Sequence, residues 1–141
     1  MKVAKIHYND KDAPTAFTKS LRDTGFGVIV DHPIKSQLVD DVYDEWKKFF
    51  NSESKHQFLF DPLNQDGYFP LGTENAKGYS AKDHKEFFHF YPWGRTPPNI
   101  SGNTKKLYDS LVEMTSLLLE WIEDNTPLNV QSKFSEPLKN M

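Results

Sequence analysis

Apolar and polar positions change period several times along this chain, and each change marks an element. Val3 to Tyr8 reads as a short strand closed by the polar turn Asn9 to Asp12. Helical spacing follows. Asp12 stands at the cap position, Pro14 falls in the first turn, where its missing N–H has no intrahelical partner to lose, Phe17 and Leu21 share one side, and Gly25 closes the helix. Phe26 to Asp31 then alternates with period two, with Phe26, Val28 and Val30 on one face and Gly27, Ile29 and Asp31 on the other. His32 and Pro33 end that strand. Ser36 is placed to cap a second helix to about Asn51, with Leu38, Val39, Val42, Trp46, Phe49 and Phe50 on its apolar side. Asp40, Asp41, Asp44, Lys47 and Lys48 fall opposite them, acids before bases, as the helix dipole favours for a solvated face.

Ser52 to Phe60 reads as one or two further helical turns, which Asp61-Pro62 breaks. Asn64 to Tyr79, with three glycines, one proline and the aromatics Tyr68, Phe69 and Tyr79, fits an ordered loop or a short strand at Gly67-Tyr68-Phe69. His84 to Arg95, HKEFFHFYPWGR, reads as a largely buried strand with His84, Glu86, Phe88 and Phe90 on one face and Lys85, Phe87, His89 and Tyr91 on the other. After Thr96-Pro97-Pro98, Ser101 or Asn103 begins a long helix to about Asp124. Leu107, Leu111, Met114, Leu118 and Ile122 form its main stripe, and Tyr108, Val112, Leu119 and Trp121 widen it. So wide a stripe implies packing on more than one side. Pro127 ends the helix, and the tail from Leu128 to Met141 carries no recognisable closing element.

Composition narrows the class. The 141 residues fit one α+β domain, 1–141, in which helices pack on a few short strands. At 37% hydrophobic and 14% aromatic the chain is too apolar for a disordered one. Its net charge is −3 and its lysines are interspersed with acids, which argues against nucleic acid as a partner. Without cysteine there is neither a disulfide framework nor a thiolate metal site. No stretch approaches the ~20 apolar residues of a membrane span, and the expected location is cytoplasmic.

Candidate chemistry centres on His84-x-Glu86, two metal-ligand types on one strand face. A facial iron site needs two imidazoles and a carboxylate. His89 points to the other face, and His7, His32 and His56 all precede the pair, so a strand-entrance histidine beside a neighbour-paired carboxylate is the simpler reading. Other templates are absent: no Gly-x-Ser-x-Gly elbow, no phosphate loop and no dinucleotide fingerprint. Gly25-Phe26-Gly27 is a turn at a strand start. Asp31 and His32 face apart, and the Tyr91-Pro92-Trp93-Gly94 run reads as aromatic packing before a ligand-stacking surface.

Four phrases in order carry a resemblance: FTKSLRDTGFGVIVDHPI (Phe17 to Ile34), EWKKFFN (Glu45 to Asn51), DGYFPLGTENAKG (Asp66 to Gly78) and KEFFHFYPWG (Lys85 to Gly94). Together they resemble the N-terminal region of the isopenicillin N synthase-like, 2-oxoglutarate and Fe(II)-dependent oxygenases, over residues 3 to 141. The resemblance implies a domain that packs against a following double-stranded β-helix, or jelly-roll, which holds the iron through His-x-Asp and a distant His and binds 2-oxoglutarate through Arg-x-Ser. None of these motifs occurs in this chain, since Arg22 and Arg95 stand in RDT and RTP.

The resemblance therefore implies a non-catalytic chain, truncated before the core, with no metal or cofactor of its own; Fe(II), 2-oxoglutarate and a small-molecule substrate belong to the full-length oxidoreductase, and the missing jelly-roll is the partner. Tyr68, Glu86, Phe88 and Arg95 are the candidates for lining the substrate entrance. The alternative is a stand-alone, metal-free binding or regulatory module of the same descent.

Overall fold

The computed structural model describes residues 2–75, 77–78, 80–131 and 138. Tyr79 of the glycine-rich segment, and most of the tail whose lack of a closing element was noted above, lie outside the described residues. The chain divides into two units, Met1–Lys35 with Leu107–Met141, and Ser36–Lys106.

In the first unit, strands β1 (Lys5–His7) and β2 (Val28–Val30) pair in parallel, with Ile6 opposite Ile29. Parallel strands need a crossover, and helix α1 (Ala13–Thr24) supplies it. Asp12 occupies the cap position as expected, but its side chain makes no capping hydrogen bond; Pro14 sits in the first turn. Gly25, at φ 79°, closes α1 by donating its N–H to Leu21 O. The buried Ser20 hydroxyl fastens α1 to both strand entrances, accepting from Ala4 N–H at 3.1 Å and donating to Phe26 O at 2.7 Å.

Helix α3 (Asn103–Asp124) completes this unit with its later turns. Ile6, Ala13, Phe17 and Trp121 form the core, and Leu117, Leu118 and Ile122 pack against it. The packed stripe of α3 is thus narrower and rotated relative to the expected one: Leu117 belongs to it, whereas Leu111 and Val112 remain 48% and 47% exposed. Trp121 decides the rotation, because its ring meets Phe17 edge-on at 6.1 Å and Tyr8 at 5.8 Å. After Pro127 a short helix α4 runs Leu128–Gln131.

The second unit contains helix α2 (Ser36–Phe50), a 3-10 turn (Glu53–Phe58) and an antiparallel hairpin of β3 (Gly67–Phe69) and β4 (Phe87–His89). Val42 and Phe49 are buried on α2, while Asp40, Asp44, Lys47 and Lys48 are exposed, as the charge pattern implied. Phe49, Tyr68 and Ile100 form the core, with Trp46, Phe50, Phe58 and Phe88 packed on it. The β4 strand is shorter than the expected His84 to Arg95: opposite Glu86 the partner chain has Pro70, which offers no N–H to a ladder, and beyond His89 the partner residue Asp66 bridges Asp61 instead. The first turn of α3 is anchored in this unit. Ser101 Oγ accepts the Asn103 N–H at 3.1 Å and donates to Glu45 at 2.6 Å, and Trp46 Nε1 donates to Thr104 Oγ1 at 3.0 Å.

Candidate functional site

Strand alternation sorts the hairpin into two faces. Tyr68 and Phe88 are register partners and turn into the core, Tyr68 being 2% exposed and Phe88 lying 4.9 Å from Trp46 and 5.5 Å from Phe49. Phe69, Phe87 and His89 occupy the other face. Phe69 stacks on Phe87 at 4.5 Å with 13° between the rings, and His89 lies 4.8 Å from Phe69. The parity expected for His84 to Tyr91 therefore holds through β4.

Two ionic latches hold the hairpin. In the first, Glu86 Oε2 accepts from Lys55 Nζ at 2.9 Å and from the Tyr68 hydroxyl; Lys55 also donates to Phe50 O at 2.7 Å. The Tyr68 hydroxyl, and then Lys55, hold the Glu86 carboxyl below its ordinary range, while Glu86 raises Lys55. Burial, followed by the hydrogen bond to Glu86, pushes the Tyr68 phenol up. This network ties the 3-10 turn to both strands.

In the second latch Asp66, fully buried, receives Arg95 through the backbone N–H and through Nε and Nη2, at 3.0 and 2.8 Å to Oδ1. Arg95 Nη2 also donates to Leu59 O at 2.8 Å. The guanidinium holds Asp66 well below the usual carboxylate range. Close approach makes glycine necessary on both sides. A Cβ on Gly94 would meet Asp66 Oδ2 at 2.8 Å, and one on Gly67, at φ 118°, would meet the carbonyl oxygens of Phe58 and Leu59 at 2.8 Å.

The four sequence candidates thus occupy one neighbourhood in two roles. Tyr68, Glu86 and Phe88 meet at the inner face of the hairpin, and Arg95 works through Asp66 at its base. The sequence reading missed Lys55 and Asp66, which stand 31 and 29 residues from their partners, too far for any local pattern to pair them. Asp66 was visible only as the residue before Gly67 in the third quoted phrase.

An iron site does not fit here. Glu86 Oε2 already serves two donors, His84 is exposed, and among the described residues no group of three His, Asp or Glu side chains could hold a metal ion. The chemistry available is that of holding a hairpin in place.

The profile of the family described as non-haem dioxygenase in morphine synthesis N-terminal matches residues 6–110. The chain belongs to this family. The non-haem dioxygenase N-terminal domain seen here is 26% identical over 133 residues to jasmonate-induced oxygenase 1 of Arabidopsis thaliana, covering 86% of this chain and 33% of that protein. Jasmonate-induced oxygenase 2 of the same plant is 25% identical over 130 residues, with 84% and 34% covered. The chain spans about one third of the length of these curated relatives.

Among solved structures, a Shewanella oneidensis protein designated an oxygenase matches all of this chain and 49% of its own, at 44% identity and a TM-score of 0.88. A Caulobacter crescentus protein assigned to the 2OG-Fe(II) oxygenase family matches 87% of this chain and 48% of its own, at 27% identity and a TM-score of 0.66. The helices and few short strands of this chain are similar to those of the N-terminal parts of such oxygenases. No described helix is long and apolar enough to cross a membrane.

Proposed function

We propose that this domain is the non-catalytic N-terminal part of a 2-oxoglutarate and Fe(II)-dependent oxygenase, in which a jelly-roll core binds the iron and the 2-oxoglutarate. Its role is to support that core and to form part of the wall of the entrance for a small-molecule substrate. The observation that carries this reading is the match of the whole chain to about half of the Shewanella protein at 44% identity.

Within the wall, Tyr68, Glu86, Phe88 and Arg95 act as positioning residues. The two latches fix the hairpin from its inner side and base, and the face left for a substrate is that of Phe69, Phe87 and His89.

The test is 2-oxoglutarate turnover by the isolated chain with Fe(II) and ascorbate, read as succinate. No succinate above the protein-free control is expected. Catalytic turnover that is lost in His84→Ala would overturn the reading and restore the strand histidine as a ligand. In an oxygenase that contains this domain, Phe87→Ala is expected to raise the substrate KM severalfold while substrate-independent 2-oxoglutarate turnover persists; an unchanged KM would remove the hairpin from the wall.

A further inference from the structure

The first unit carries a groove of about 500 Å3 between α1, the end of α3 and α4. That volume is in the range of ordinary small-molecule sites, roughly 300–1,000 Å3. Leu21, Ile122, Pro127 and Val130 give it an apolar wall, and Arg22 stands at its side.

The polar side chains around it are already used. Thr18 donates to Pro14 O at 2.9 Å, and Thr126 donates to Ile122 O at 2.6 Å. Asn125 donates to Trp121 O at 2.9 Å and accepts from Thr15 at 2.8 Å. A peptide segment laid in the groove would find the hydroxyl hydrogens of Thr18 and Thr126 already given to Pro14 O and Ile122 O, so that its own C=O groups would lack these donors, a costly arrangement. A hydrocarbon chain has no such need.

Arg22 differs from the other polar groups. Its Nε donates to Asp23 at 3.0 Å, but Lys19 shares the same carboxylate, so two cations face one anion and one positive charge is in excess. Among the described residues the Arg22 Nη nitrogens carry no hydrogen bond. They form a fork suited to a planar carboxylate.

We propose that the groove binds an amphiphilic monocarboxylate of the fatty-acid type, its chain against Leu21, Ile122, Pro127 and Val130 and its carboxylate on the Nη nitrogens of Arg22. The site is separate from the hairpin, and its occupancy does not depend on the oxygenase reading.

Calorimetric titration of the full chain with decanoate, decanol and decylamine tests the proposal. Saturable one-to-one binding of decanoate is expected, about tenfold tighter than decanol, the margin of one charge-assisted hydrogen bond. Arg22→Gln should erase that preference and leave decanol binding unchanged. Val130→Trp should block both ligands with the far-ultraviolet circular dichroism preserved. Non-saturating heats, equal affinity for all three ligands, or decanoate binding indifferent to Arg22→Gln would overturn the proposal and leave the groove as an apolar contact surface for protein. One decanoate per two chains would overturn it in favour of a second copy.

Discussion

At the scale of single residues, the two latches divide the work unequally. Asp66 is fully buried and its partner Arg95 is 38% exposed in its side chain, so Asp66→Asn leaves a guanidinium partly desolvated without its counter-charge. Breaking a buried pair typically costs about 3–5 kcal/mol, and the exposure of Arg95 places this one near the lower end. Glu86→Gln keeps acceptors for Tyr68 and Lys55 and should cost about 1–3 kcal/mol. Urea unfolding checks the order, with the larger fall in midpoint expected for Asp66→Asn. Acid provides a second readout. Arg95 lowers Asp66, and Tyr68 and then Lys55 lower Glu86, so both carboxyls have folded pKa values below their unfolded ones. Their contribution to stability is complete above the unfolded range of about 4 and is lost as pH falls through the lower folded values. The wild-type chain should therefore lose stability steeply below about pH 4, and Asp66→Asn should show a shallower acid slope. Tyr68, Glu86, Phe88 and Arg95 were singled out in the sequence as candidates for the substrate entrance, but their partners Lys55 and Asp66 were not, because an ion pair leaves no periodic trace.

At the scale of elements, what could be read were signals that act locally. Gly25 ended α1 and Ser101 opened α3 at Asn103, each through backbone chemistry confined to a few residues, whereas the 3-10 turn stopped at Phe58, short of Asp61-Pro62, because Leu59 is extended and bridges Tyr68. The extent of β4 and the packed side of α3 were misjudged for the opposite reason. A strand lasts only as long as its partner, which Pro70 limits on one side and the Asp61–Asp66 bridge on the other; a helix stripe is chosen by what it meets, here Phe17 and Tyr8 through Trp121. Two glycines in the left-handed half of backbone space separate local from tertiary cost. A Cβ at Gly25 meets nothing within 4 Å, so Gly25→Ala should cost only the conformational penalty of about 1–2 kcal/mol. Gly67→Ala adds contact with two backbone carbonyl oxygens that cannot rotate away, and should cost about 3 kcal/mol. Thermal unfolding of the two variants should rank them in that order, and equal losses would mean that the Phe58–Leu59 backbone yields.

At the scale of the whole molecule, the question is whether the chain is sufficient by itself or supports a core. Large apolar side chains remain open in both units: Phe26 at 68%, Leu111 at 48% and Val112 at 47% in the first, and Leu63 at 92% and Trp93 at 71% in the second. Leu63 is not loosely held, since Asp61 accepts hydrogen bonds from its N–H and from the Asn64 side chain, both at 2.8 Å, and presents it on an ordered turn. Exposed apolar groups that belong against a core attract dyes and one another in its absence, whereas those of a self-sufficient module do not. The supporting-domain reading therefore predicts that the isolated chain binds an anilinonaphthalene dye and elutes from a sizing column at an apparent mass that rises with concentration. Leu111→Lys combined with Val112→Lys should suppress both effects without loss of helix signal, because neither side chain is part of the first unit's core. A sharp monomer peak at every concentration, with no dye binding and a single cooperative unfolding transition, would favour a stand-alone module that uses the same fold for binding alone.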